Sequence, residues 1–225
     1  MGRPNVIIQK GNGALGGVVD SADGTSMLVI SVPSAYPNPT NLVFLSLKDA
    51  EDAGVTEVND TASNALVWEH IKDFYTNAPV GTELHLHLID EADTLTELFT
   101  VGNALRDALE AKLASLEGKV RLLGIAQNPS ADESGQTTSI SSDLQAAIPL
   151  AQTFAVSEFD KFRPISIVFE GRKFSGAIGA SEDLRALESN TVSVMTGRDE
   201  ARREVLVTNG NTASANYAML GSALG

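Results

Sequence analysis

The sequence contains no cysteine among its 225 residues. This absence excludes disulfide bonds, cysteine nucleophiles and zinc sites with thiolate ligands, and it suits a reducing compartment. No apolar run approaches the roughly 18 residues that a membrane-spanning helix needs. The N-terminus also lacks the basic and apolar regions of a secretory signal peptide. We therefore expect a protein that is made in the cytoplasm and is not inserted into a membrane.

Positive charge is also scarce. The chain has 16 lysines and arginines against 29 acidic residues, which gives a net charge of −13 and an isoelectric point of about 4.5. A chain of this charge repels phosphate backbones, so we do not expect it to bind nucleic acid. The densest basic cluster is Arg198, Arg202 and Arg203. It indicates either a contact with an acidic neighbouring subunit or a solvated surface.

Glycines are concentrated near the N-terminus, where residues 11–16 form the pattern GxGxxG. In dinucleotide-binding proteins the third glycine of this pattern opens a helix that holds the pyrophosphate. Here the pattern is followed by residues 18–24, VVDSADG, which are typical of a short strand and a turn. We therefore predict no nucleotide site and no cofactor.

Residues 1–17 instead have the features of an extended arm with a flexible hinge. The apolar residues Val6, Ile7 and Ile8 form a short run with strand propensity, and Gly11 and Gly13 follow it closely. An apolar strand without a partner in water is unfavourable. We therefore predict that this strand pairs with the sheet of another subunit.

The rest of the chain, residues 18–225, alternates between strand and helix patterns. We predict strands at 26–32, 41–45, 83–89, 120–126, 165–169 and 191–195, and helices at 47–53, 61–77, 103–116, 142–159, 181–188 and from 212 onward. Pro149 should kink the 142–159 helix or mark a boundary within it. The alternation predicts an α/β fold, with a mixed, largely parallel sheet, flanking helices and the N-terminal arm. The polar segment 128–139 is expected to be an exposed loop and a possible boundary within the body.

Two segments contain residues that could bind a metal ion or a ligand. His85 and His87 alternate with leucines on the 83–89 strand, beside Glu83, and a metal site there would need a third ligand such as His70. We favour a polar strand face without a metal.

Residues 196–199, TGRD, follow a strand where α/β sheets often bind ligands, although a simple turn is the preferred interpretation. The chain has neither a P-loop nor a nucleophile elbow, so these patterns indicate no legible catalytic site.

Several segments taken in order resemble tail sheath proteins of contractile bacteriophage tails, in particular those of Mu-like phages and prophages. The segments are RPNVIIQKGNGALGG, FYTNAPVGTELHLHLI, KVRLLGIAQNP, VSVMTGRD and ASANYAMLGSALG. The resemblance covers nearly the whole chain. In that family the sequence continues beyond the last segment, so we expect a C-terminal, tube-proximal part to be missing here.

This resemblance implies a mechanical, non-enzymatic role in the tail of a virion, assembled in the cytoplasm of a bacterial host. The implied partners are other sheath subunits, joined by exchanged terminal strands, the tail tube protein, the baseplate and the tail terminator. The implied subunit contacts are Val6, Ile7, Ile8, Gly11, Gly13, Arg198, Arg202 and Tyr217. The competing hypothesis is a small flavodoxin-like α/β domain that binds a ligand or acts as an enzyme.

Overall fold

The computed structural model describes residues 25–63, 65–79, 81–127, 140–171, 183–187, 189–196 and 224. The strands are β1 (Thr25–Val32), β2 (Val43–Phe44), β3 (Leu84–Asp90), β4 (Val120–Ala126), β5 (Ser166–Glu170) and β6 (Val192–Met195). The helices are α1 (Leu47–Asp52), α2 (Glu57–Ser63), α3 (Val67–Asn77), α4 (Leu95–Phe99), α5 (Ala104–Ser115) and α6 (Ser142–Asp160), with a short 3₁₀ helix at Leu184–Leu187.

The strands form one six-stranded sheet in the order β2-β3-β1-β4-β5-β6. The short edge strand β2 is antiparallel to β3, and every other pair is parallel. Central β1 is almost continuously apolar and buried, as expected for a parallel strand covered on both faces. The predicted α/β fold with a largely parallel sheet is confirmed. Counted along the chain, the parallel strands have the flavodoxin-like order 2-1-3-4-5.

The alternation of side chains along the strands divides the core into two layers. Met27 and Val29 of β1 belong to the layer that also contains apolar residues of α4, α5 and α6, which we call the first face. Leu28 and Ile30 belong to the second face, which includes residues of α1 and α3. Leu224 also lies on the second face, where its carbonyl accepts a hydrogen bond of 3.2 Å from the Ser26 hydroxyl.

The predicted 61–77 helix is wrong in its bounds, because the chain forms two helices here. α2 ends at Ser63 and α3 begins at Val67. The buried carboxylate of Asp60 accepts hydrogen bonds from the backbone N–H groups of Trp68, at 2.7 Å, and Glu69, at 3.4 Å. A continuous helix would pair these N–H groups with backbone carbonyls of its preceding turn. Their bonds to Asp60 therefore mark the start of a new helix. Trp68, in the first turn of α3, is buried.

Three other local features add to the sequence predictions or narrow them. The α6 helix continues through Pro149, so of the two predicted alternatives, a kink or a boundary, the boundary does not occur. Phe159, in the last turn of α6, is 66% exposed. The short helix α4 was not predicted, although Thr94 and Glu97 form a capping box at its start.

Strand and helix bounds elsewhere agree closely with expectation. β4 has the predicted bounds. Ser46 and Asn103 cap α1 and α5, because their side chains accept hydrogen bonds from the first turns of these helices. The predicted 41–45 strand is reduced to Val43–Phe44.

Several predictions lie outside the described residues. They concern the 1–17 arm, the 128–139 loop, the helix from 212, and the candidate contacts Val6, Ile7, Ile8, Gly11, Gly13, Arg198, Arg202 and Tyr217.

Candidate functional site

The flavodoxin-like order creates a switch point between β1 and β4, at the carboxyl ends of these strands. From β1 the chain crosses to β3 on one side, whereas β4 lies on the other side. Open α/β sheets bind ligands in the crevice at such a point. Polar residues are buried there: Ser31 near the end of β1, Gln127 just after β4, and Glu170 at the end of the adjacent strand β5. Among the residues that the structure describes, none forms a hydrogen bond with the Gln127 Oε1 atom.

Asp60 and Tyr36 lie near this edge on the second face. The Tyr36 hydroxyl donates a hydrogen bond of 3.0 Å to Asp60 Oδ1, and the carboxylate is only 2% exposed. Burial raises the pKa of Asp60 to about 7, although the hydrogen bonds from Tyr36, Trp68 and Glu69 act in the opposite direction. Burial and the Asp60 charge raise the pKa of Tyr36. The geometry gives Asp60 a structural role as the cap of α3.

A histidine–carboxylate pair connects α3 to the end of β5. His70 Nε2 lies 3.8 Å from Glu170 Oε1, and both side chains are 1% exposed. A carboxylate beside an imidazole can orient the ring for acid–base catalysis. The same pair also fixes a helix against a strand, because both partners are withdrawn from solvent. No sequence pattern indicates this pair, because its two residues are 100 positions apart in the chain.

His85 and His87 lie on β3 and face the opposite side of the sheet from His70. His85 Nε2 is 2.6 Å from Glu83 Oε1, without the alignment of a hydrogen bond. Burial lowers the pKa of His85, and the nearby Glu83 carboxylate acts against this shift. Burial and the positive charge of Lys112 lower the pKa of His87. Both shifts favour neutral rings.

The hypothesis that His70 could complete a metal site with His85 and His87 is therefore wrong. His70 belongs to α3, which packs on the second face with Leu84 and Leu86. Alternation along β3 directs His85 and His87 to the first face. Within the part of the chain that the structure describes, no group of three potential ligands could hold a metal ion.

The amino ends of the strands carry a different kind of surface. A groove of about 490 Å³ lies between the last turns of α6 and the starts of β5 and β6. We call it the amino-edge groove; its lining includes Val156, Phe159, Pro164, Ile165, Ser166 and Thr191. Phe159 and Phe162, at the end of α6, are 66% and 91% exposed. An exposed apolar patch is typical of a protein–protein contact.

Sequence reasoning missed this surface. The available signal was Phe162 itself, in the segment FDKFRP, because an aromatic residue stands where a helix usually ends with glycine.

The described helices are all too short or too polar to cross a membrane.

Comparison with known proteins gives little to add. No protein-family model and no curated protein matches the chain. It is similar to a chain in the cryo-EM structure of the anti-feeding prophage (AFP) baseplate, with a TM-score of 0.39 and 15% sequence identity. The alignment covers 75% of this chain and 40% of that one, so the chain spans less than half the length of its structural neighbour. Likeness at this level does not establish function.

Proposed function

We propose that the protein is a structural subunit of a contractile, phage-type tail sheath. In this role copies of the chain polymerise around a tail tube and contract to drive that tube through a cell envelope. The proposed partners are other sheath subunits, the tube protein, the baseplate and the tail terminator. The location follows as the tail of the particle, assembled in the bacterial host cytoplasm.

The segments that resemble sheath proteins, taken in their order along the chain, support this proposal. Two of them contain strands that lie beside the central strand. FYTNAPVGTELHLHLI runs from the end of α3 through most of β3, and KVRLLGIAQNP contains the whole of β4. Both strands pair with β1. The resembling segments therefore contribute to the centre of the fold.

The observation that carries the proposal is the apolar surface at the end of α6. Phe162 is 91% exposed on a body that has an extensive buried core. A solvent-exposed aromatic residue beside an apolar groove is more typical of a subunit that contacts other proteins than of an isolated ligand-binding domain. Head-to-tail contacts that do not close on themselves produce helical filaments, which is the symmetry that a sheath requires.

A flavodoxin-like ligand-binding domain is the second candidate. The strand order and the buried Gln127 at the switch point favour it. This candidate predicts that flavin mononucleotide, added to the purified protein, raises its melting temperature. A sheath subunit predicts no such rise.

Deletion of residues 1–10 tests the assembly role. We expect the deletion to leave the melting temperature of the isolated chain nearly unchanged, because the arm is proposed to pair with another subunit. We expect the same deletion to abolish tubes formed by the protein expressed from its complete reading frame. Circular dichroism and negative-stain electron microscopy measure the two effects.

Replacement of Gly2 and Asn5 by serine provides a control that keeps the arm and its apolar run. If the deletion unfolds the isolated chain, the 4–10 strand belongs to its own core and arm exchange is wrong. Tubes that persist after the deletion would also contradict the proposed role of the arm.

A further inference from the structure

The amino-edge groove is an apolar cleft of the size that small ligands occupy. Ala155 and Ile165 are buried and form its floor, whereas the exposed residues Val156, Phe159 and Pro164 form its sides. Its volume is about 490 Å³. Pockets that bind small molecules commonly have volumes of roughly 300–1,000 Å³ and combine an apolar lining with a few polar groups. The groove therefore has room for a single apolar ligand.

Arg121 brings a positive charge to one side of the groove. It lies at the start of β4, where Leu122 pairs with Ser166 of β5, so Arg121 and Ser166 line the groove from adjacent strands. The Arg121 Nη1 atom donates to the Pro164 carbonyl at 3.2 Å. No ion pair among the described residues includes Arg121. Its Nε and Nη2 atoms are therefore left for a ligand, and this edge of a guanidinium binds a carboxylate through two parallel hydrogen bonds.

The other charges at the end of α6 are already paired or lie outside the lining. Arg163 and Lys161 both donate to the buried Glu158 carboxylate. The backbone N–H groups of the same two residues donate to the Glu158 carbonyl, which reduces the negative potential that a helix end presents. Asp160 is exposed but does not line the groove. Among the described residues that line the groove, only Arg121 is charged.

Neutral donors on the rim of the groove suit the same kind of ligand. The Asn190 Oδ1 atom accepts a hydrogen bond of 2.8 Å from Gln152 Nε2, so the amino group of Asn190 is the part of this side chain left for a ligand. The exposed Ser166 hydroxyl can also donate. A ligand that matches Arg121 and these donors needs acceptor oxygens, and a carboxylate group supplies two of them.

We propose that the amino-edge groove binds one molecule of an apolar monocarboxylate, such as a medium-chain fatty acid. The carboxylate pairs with Arg121, and the alkyl chain covers Ala155, Val156 and Phe159, whose contact with water is reduced. One guanidinium neutralises one carboxylate. A phosphate monoester would instead bring a second negative charge to a chain that already carries −13. This binding activity goes beyond the proposed assembly role and does not depend on it.

Isothermal titration calorimetry of the whole chain with decanoate tests the proposal. At a pH of about 7.5 the carboxylate is ionised, and we expect saturable binding of a single molecule per chain. Octanoate should bind more weakly than decanoate, by roughly fourfold for each methylene removed. Octylammonium and octan-1-ol have an alkyl chain of the same length as octanoate but no negative charge. Both should bind more weakly than octanoate, because neither can form an ion pair with Arg121.

The substitution Arg121→Gln removes the charge and keeps a polar side chain. It should weaken decanoate binding by roughly tenfold or more, because the charge-assisted hydrogen bonds are lost. It should also abolish the preference for octanoate over octan-1-ol. Lys48→Gln is the matched control, because it removes the same charge from an exposed side chain of α1. We expect this control to bind decanoate normally, and an equal loss in both variants would contradict the role of Arg121.

A second pair of variants locates the alkyl chain. Val156→Glu places a negative charge in the lining of the groove and should weaken decanoate binding by roughly tenfold, because like charges repel. Val58→Glu is its matched control, since Val58 also lies on a helix, α2, and does not line the groove. Val156 and Val58 are 48% and 74% exposed, so neither substitution buries a charge in the core. We expect the control to bind decanoate normally.

Four results would overturn the proposal. The first is the absence of saturable decanoate binding, and the second is binding of octylammonium or octan-1-ol as tightly as octanoate. The third is binding of several decanoate molecules per chain, which would show adsorption on exposed apolar surface. The fourth is an equal loss of binding in the Val156→Glu and Val58→Glu variants, which would place the ligand outside the groove. None of these results depends on tube formation, so they are independent of the sheath hypothesis.

Discussion

Replacing Asp60 by asparagine removes the proton equilibrium at the junction of α2 and α3. The carboxamide retains an oxygen that can accept from the Trp68 N–H, and its amino group can donate to the Tyr36 hydroxyl oxygen. The shape and most hydrogen bonds of the site are therefore kept. What changes is the pH dependence, because burial raises the pKa of Asp60 from 3.8 to about 7.

The sign of the effect follows from proton linkage. Between the two pKa values the folded state retains a proton that the unfolded state has lost, so the free energy of unfolding of the natural chain decreases as the pH rises toward 7. Each pKa unit corresponds to about 1.4 kcal/mol, so this single group contributes a loss of about 2 kcal/mol between pH of about 5.5 and 7. The asparagine variant lacks this loss. Its stability relative to the natural chain should therefore rise by about 2 kcal/mol over the same interval.

Urea denaturation of both proteins at several pH values measures the difference. The fluorescence of the single tryptophan, Trp68, reports on the region directly, since its backbone N–H bonds to Asp60. Working above pH of about 5.5 keeps the chain away from its isoelectric point of about 4.5. A difference that is constant with pH would refute the reasoning. A difference of opposite sign would show that the helix N–H groups outweigh burial.

Two further pairs of substitutions test the packing of the body. Gly124→Ala would place a Cβ atom 2.5 Å from Leu224 Cδ1 and should cost roughly 1–2 kcal/mol by urea denaturation. The double variant with Leu224→Ala should lose less stability than the sum of the losses of the two single variants. A loss equal to that sum would contradict the contact between the two residues. Arg163→Ala leaves the fully buried Glu158 carboxylate without two hydrogen bonds and should cost about 3 kcal/mol in the same assay. Arg121→Ala, which removes an exposed hydrogen bond to a backbone carbonyl, is its control and should cost less than about 1 kcal/mol. Equal losses in these two arginine variants would contradict the role given to Glu158.

The sheet could be predicted from the sequence because its signals are local. Apolar runs such as residues 120–126 and the alternating leucines of 84–88 mark buried strands without knowledge of their neighbours. The strand order could not be predicted in this way. It depends on which helices cover which face, and therefore on contacts between residues far apart in the chain.

Two features of the helices depend on contacts between distant residues or on the position of a helix end relative to the sheet. The break between α2 and α3 depends on Asp60 bonding to N–H groups eight and nine residues later, within a pattern that otherwise continues as a helix. The exposure of Phe159 depends on where α6 meets the end of the sheet. In contrast, α4 could have been predicted, since the capping pair Thr94 and Glu97 is visible in the sequence.

The candidate sites were predictable only in part. The hypothesis that His70 could join His85 and His87 in a metal site is wrong, because the described geometry places His70 on the other face of the sheet. The pair of His70 and Glu170 joins α3 to β5 across 100 residues and has no sequence signature. The amino-edge groove is formed by α6, β5 and β6 together, so only the unusual Phe162 could have indicated it.

Negative-stain electron microscopy of the protein expressed from its complete reading frame tests the central claim most directly. The sheath hypothesis predicts hollow tubes with a regular helical repeat, and loss of those tubes when residues 1–10 are deleted. Uniform monomers that bind flavin mononucleotide and never form tubes would contradict the hypothesis and favour the ligand-binding alternative.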